Sequence, residues 1–133
     1  MARIILDTDV VSLYRMGRLP AGFARQVAAN DLSIAFATAG ELWRWALTRR
    51  WGSARRGGLE LFLDQALILP ANLTVAKVWG ELTAGAQRRG RPRPLNDTWI
   101  AAYCIEGGLP LLTLNRRDFA DFAERDGLLL LGA

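Results

Sequence analysis

Thirteen acidic side chains and no histidine set the terms for any chemistry in this 133-residue chain. Without histidine, the usual general base, the Ser-His and Cys-His nucleophile pairs and most zinc sites are absent. Catalysis would therefore rest on carboxylates and on a cation they hold. With oxygen ligands alone, that cation is Mg²⁺ or Mn²⁺. The informative acids are those that fall where a fold builds a site. Asp7 and Asp9 follow the apolar run Ile4-Ile5-Leu6, with Thr8 between them. Such a run reads as a buried strand, and in open α/β sheets ligands bind just beyond the carboxyl ends of the strands. Asp is also a favoured N-cap, so capping of the following helix is the competing role.

Three further positions share this logic. Glu41 lies just beyond a second apolar run, Leu32 to Phe36, in the segment Thr38-Ala39-Gly40-Glu41. Thr-x-x-Glu is also the capping-box pattern, so a cap partner and a site residue both stand open. Asp97 shares a helical face with Ile100, Ala101 and Cys104, which must point into the core. Asn96 beside it is an equally good cap, so Asp97 is free for a site. Asn115 or Asp118 would follow the run Leu109 to Leu114, where Asp118 could equally be a surface acid near a helix N-terminus.

Carboxylates converging on one crevice cannot all stay ionised without a cation to offset their repulsion. A divalent metal does that and suits phosphodiester hydrolysis, whose transition state gains negative charge. The net charge of +4 comes almost wholly from arginine, with Lys77 the only lysine. Arg49, Arg50, Arg55 and Arg56, together with Arg88, Arg89, Arg91 and Arg93, could hold a polyanionic backbone or form a solvated basic surface. The five tryptophans, Trp43, Trp45, Trp51, Trp79 and Trp99, read as core or dimer contacts more readily than as base-stacking platforms.

The elements that would position these groups alternate. The first strand leads into a short helix from Val10 to Met16 that stops at Gly17, and Pro20 starts a second helix to about Asn30. After Leu32–Phe36, a third helix begins at Thr38 and runs towards Trp51. Gly52 to Gly58 reads as a basic turn, Leu59 to Ala66 as helix, and Leu67 to Leu69 as a very short strand. A long amphipathic helix covers Leu73 to Arg89. Asn96 or Asp97 opens the next helix, which ends at Gly107-Gly108. Leu109 to Leu114 is a strand, Arg116 to Glu124 a helix and Leu128 to Leu131 a last strand. Asp31, Asp64, Glu81, Glu106, Asp121, Glu124 and Asp126 fall on exposed faces or turns and carry no assigned role. The alternation predicts an α/β, three-layer α/β/α sandwich around a mainly parallel sheet of four or five strands, as one domain over residues 1–133. No apolar run approaches the roughly 18 residues of a membrane span. There is no signal-peptide pattern, and the lone Cys104 suits a reducing cytoplasm.

Taken together, Leu6-Asp7-Thr8-Asp9-Val10, Thr38-x-x-Glu41-Leu42, Asp97-x-x-Ile100-Ala101-Ala102 and Thr113-x-Asn115-x-x-Asp118-Phe119 resemble the PIN domain, most of all the VapC-type toxins of bacterial toxin–antitoxin pairs. The resemblance covers essentially the whole chain. It implies a Mg²⁺- or Mn²⁺-dependent endoribonuclease acting on RNA (tRNA, rRNA or mRNA), neutralised by a cognate antitoxin and usually a homodimer. Asp7, Glu41 and Asp97 match the family's acidic ligands. Asn115 matches the fourth position, where members carry Asp or Asn, with Asp118 a nearby acid that shares the role, and Thr113 matches the hydroxyl residue before it. Asp9 stands where Asn is more frequent, and Asn115 removes one charge. These departures imply one well-held metal bridging Asp7 and Asp97, with a weaker second site. Two rivals remain. A haloacid-dehalogenase-type phosphatase would use Asp7 as nucleophile, but Lys77 has no acidic pair after it. A binding module that has lost catalysis would work through RNA or antitoxin contacts alone.

Overall fold

The computed structural model describes residues 2–132. Its centre is β1 (Arg3–Leu6), which pairs in parallel with β2 (Asp31–Ala35) on one side and with β4 (Leu111–Leu112) on the other; β3 (Ile68–Leu69) lies outside β2. The strand order is β3-β2-β1-β4. Side chains of a strand alternate between the two faces of a sheet, and here both faces are covered. Ile5 joins one core with Val75, Ile100, Cys104, Phe119 and Phe122. Ile4 and Leu6 join another with Val10, Val11, Leu42 and Leu59. A strand buried on both faces must be apolar at every position, which is why this one shows no alternation.

The helices divide accordingly. α1 (Thr8–Arg15), α2 (Ala21–Ala29), α3 (Phe36–Thr48) and α4 (Ser53–Gln65) supply the second core. α5 (Leu73–Arg88), α6 (Leu95–Gly107) and α7 (Arg116–Arg125) supply the first. The result is the expected three-layer α/β/α sandwich, with four parallel strands among the described residues. The predicted last strand survives as a single parallel bridge, Leu111 to Leu130. α6 ends where Gly108 takes a left-handed conformation at φ 63°, a geometry that glycine adopts without steric cost.

Three boundaries differ from expectation for identifiable reasons. β2 runs into α3 with no intervening turn, so the helix starts at Phe36 with Ala35 as its uncapped N-cap, and Thr38 is already inside it. Gly52 to Gly58, expected as a basic turn, is the N-cap and first turns of α4. Burial of Leu59 and packing of Phe62 and Leu63 override the poor helix propensity of Gly57 and Gly58. α6 begins at Leu95 with Pro94 as N-cap, so neither Asn96 nor Asp97 caps it. Among the described residues, no helix is long and apolar enough to cross a membrane.

Candidate active site

The strand order reverses between β1 and β4, and that is where the polar groups gather. A reversal of this kind opens a crevice at the carboxyl ends of the strands. Asp7 follows β1 and Thr113 follows β4, and their side chains meet. The Thr113 hydroxyl donates to Asp7 Oδ2 at 2.7 Å, while the Thr8 backbone N–H donates to Oδ1 at 2.8 Å. Asp7 thus caps α1 with one oxygen and meets the end of β4 with the other, so capping does not exclude a site role. It is 5 % exposed. Burial outweighs both hydrogen bonds, and with the charges of Asp9 and Glu41 it pushes the carboxyl up to about 6.

Asp97 stands across from it in the first turn of α6. Its carboxyl is pushed up to about 7, first by burial, then by the negative charges of Asp7, Asp118 and Glu41, with Arg93 opposing. Asp7, Asp9, Glu41, Asp97 and Asp118 therefore share one field, as their positions after strands and at helix starts imply. Carboxyls pushed up first by burial and then by neighbouring acids mark a candidate cation or proton-transfer site.

Glu41 is not a capping-box partner, because Thr38 lies inside α3 rather than at its cap. Thr38 is fully buried, where its hydroxyl accepts from that of Thr8 at 3.2 Å and ties α3 to α1. Glu41 Oε2 instead accepts from Asn96 Nδ2 at 2.9 Å. Asn96, an N-cap candidate by sequence, thus joins the acidic cluster through Glu41, and its place beside Asp97 is the one local signal of that. Asn115 holds the N-cap position of α7 but makes no side-chain cap bond. Its Nδ2 donates to Asp9 Oδ2 at 2.7 Å, and its backbone N–H donates to Thr113 Oγ1 at 3.0 Å. The Asn115 amide thus partners the Asp9 carboxylate directly. Asp118, in the first turn of α7, is exposed and reaches the cluster through its charge.

Two other expectations change. Asp121 and Asp126, read as exposed acids, are half-buried ion-pair partners. Asp121 faces Arg91 at 3.2 Å and Arg93 at 3.6 Å, and Asp126 faces Arg89 at 3.7 Å. Much of the basic segment is thereby fastened to α7. The tryptophans pack at the core margin: Trp79 stacks on Trp99 at 5.1 Å, Arg49 covers Trp45 and Arg55 covers Trp51. Lys77 is exposed on α5 and is not among the charges that shift Asp7.

The donors of the cluster are all oxygens, which suits Mg²⁺ or Mn²⁺. Among the described residues, no three carboxylates form a ready-made cage. Mg²⁺ does not require one: it binds through one or two carboxylates and keeps several waters. Asp7 and Asp97 fit that pattern.

Comparison with known proteins places the arrangement. Residues 4–125 match the PIN domain. Ribonuclease VapC5 of Mycobacterium tuberculosis is 31% identical over 125 residues, covering 92% of this chain and 87% of the relative. Ribonuclease VapC1 of Haemophilus influenzae is 28% identical over 119 residues, covering 86% and 88%. The structure of VapBC-1 from nontypeable Haemophilus influenzae superposes with a TM-score of 0.80 at 24% identity, over 98% of this chain and 97% of that one. With residues 4–125 matching the PIN domain and VapC ribonucleases among its relatives, this chain belongs to the PIN-domain family.

Proposed function

We propose that the chain is a metal-dependent endoribonuclease that cuts RNA phosphodiester bonds and acts as the toxin of a toxin–antitoxin pair. The observation that carries this reading is the pair of crowded carboxyls, Asp7 held by Thr113 and the Thr8 N–H at the carboxyl end of β1 and Asp97 in the first turn of α6, both pushed up by burial and by neighbouring acids. Relatives named as ribonucleases, and a solved neighbour that is a VapBC complex, support the reaction class and a cognate antitoxin as partner. A homodimer working in the cytoplasm completes the proposal.

Asp7 and Asp97 would hold Mg²⁺, with Mn²⁺ as a substitute. When bound, the ion supplies water activation and offsets charge building on the phosphoryl oxygens. The chain's own contribution is positioning. Thr113 and the Thr8 N–H fix both oxygens of Asp7 in one orientation. Asn96 fixes Glu41 at the rim, where its second oxygen is free to face substrate or solvent. Asp97, whose carboxyl is pushed up to about 7, would have to release its proton to ligate a cation. The Asn115–Asp9 pair carries one negative charge rather than two, which makes a second cation position weak.

The test is incubation of tRNA, rRNA fragments and mRNA with the purified chain in Mg²⁺, Mn²⁺ or EDTA, with and without the product of any small reading frame found beside its gene. Cutting that needs the metal and is silenced by that product supports the proposal. RNA left intact in both metals refutes it.

A further inference from the structure

The basic residues beside the acidic site fall into two groups once their partners are known. Arg93 is half-buried, pairs with Asp121 at 3.6 Å and acts on Asp97. Arg89 is half-buried against Asp126 at 3.7 Å. These two brace the α5–α6 connection against α7. Arg91 and Arg125 differ. Arg91 Nε lies 3.2 Å from Asp121 Oδ2, and its side chain is 63% exposed. A guanidinium this exposed has donors to offer a phosphate, which its planar fork grips bidentately. Among the described residues, no carboxylate lies within ion-pair distance of Arg125. Arg89, Arg91, Asp121 and Arg125, three arginines and one acid, line an open cavity of about 280 Å³. At roughly 30 Å³ per water, it has room for a hydrated phosphodiester.

The cavity is linked geometrically to the acids. Asp118, Asp121 and Arg125 follow one another at positions i, i+3 and i+7, along one face of α7. Asp118 touches the acidic cluster through its field on Asp97, and Arg125 sits at the cavity. Seven residues of helix span about 10 Å, roughly three nucleotides of a stacked strand at about 3.4 Å each. We propose that this cavity is a backbone-phosphate subsite for RNA, in which Arg91 and Arg125 grip a phosphodiester two or three nucleotides from the one at Asp7 and Asp97. The inference rests on the nuclease reading for its substrate. Asp121 presets the Arg91 fork, and the brace formed by Arg89 and Arg93 holds the subsite at fixed distance from the acids. Because the grip is on phosphate, it adds affinity without choosing a base.

The test uses the full chain carrying Asp7→Asn, so that binding is read without cutting, and a fluorescent single-stranded RNA of about ten nucleotides. Adding Arg91→Ala and Arg125→Ala should weaken binding about tenfold or more and lower the slope of log K against log salt by about 1.4, or 0.7 per lost contact. A charge-matched control, Arg3→Ala with Arg25→Ala, removes two exposed arginines, one at the far end of β1 and one on α2, and should change binding far less. Arg91→Lys with Arg125→Lys keeps charge and fold but loses the fork, and should fall between. If the cavity variants bind no worse than the control, with an unchanged salt slope, the subsite is refuted. Loss of wild-type cutting in both metals would refute the nuclease reading alone, because the binding measurement stands apart from chemistry.

Discussion

Asp7→Asn should stabilise the metal-free protein at pH 8 and slightly destabilise it at pH 4. The folded carboxyl sits at about 6 against an ordinary 3.8, chiefly because it is buried. A displacement of that size corresponds to about 3 kcal/mol of penalty on the ionised form. Between those two pH values the folded chain keeps a proton that the unfolded chain has released, so wild-type stability falls as pH rises through the interval and stays low above it. Asn keeps the acceptor that caps Thr8 N–H, but the Thr113 hydroxyl loses the oxygen to which it donates, at a cost of about 1 kcal/mol. The net is a gain of about 2 kcal/mol at pH 8, or roughly 8 °C in Tm for a chain of this size. At pH 4 most of the penalty is already absent and the variant is less stable by about 0.5 kcal/mol. Relief of Asp97 from the charge of Asp7 acts in the same direction as the gain. Urea unfolding in EDTA at both pH values measures this directly. A variant destabilised equally at pH 4 and pH 8 would refute the argument, since Asp7 would then serve the fold and not a charge held at a cost.

Other consequences follow from single contacts. Thr113→Val removes the hydroxyl that holds Asp7 ionised, so the carboxyl rises further and the acid limb of RNA cleavage should move about one pH unit upward; an unmoved limb contradicts that role. Asn96→Ala frees Glu41 and should lower the cleavage rate about tenfold while unfolding stability changes by no more than about 1 kcal/mol; equal rates would show that Glu41 needs no positioning. Cys104 is fully buried near Asp7, and both burial and that charge push its thiol up. Thiol reagents should therefore modify it only through global or local opening, with a rate that rises with denaturant; prompt labelling of the native chain would contradict the packing of α6.

How much of this was legible depends on how local each signal is. Asp7 and Asp97 stand out as candidates because each lies at the end or start of an element that its own neighbours define, whereas Glu41 lies inside α3 and is marked only by the strand before it. The pairings do not stand out. Asn96 and Glu41 are 55 residues apart, and Thr113 and Asn115 each reach a partner 106 residues away. The capping role of Thr38 failed because β2 passes into α3 without a turn, which no residue between Ser33 and Ala37 signals. The Gly-Arg-rich stretch hid the start of α4, whose helix is set by burial of Leu59 beneath it. Asp121 and Asp126 looked like surface acids because their arginines come from another element.

The central claim is that Asp7 and Asp97 hold the cation on which RNA cutting depends. Single-turnover cleavage of one RNA by wild type, Asp7→Asn and Asp97→Asn, each in Mg²⁺ and in EDTA, tests it most directly. Each substitution should slow cutting by at least about 100-fold, to the level of wild type in EDTA, with the fold intact. Cutting that survives both substitutions, or that persists in EDTA, would contradict the account.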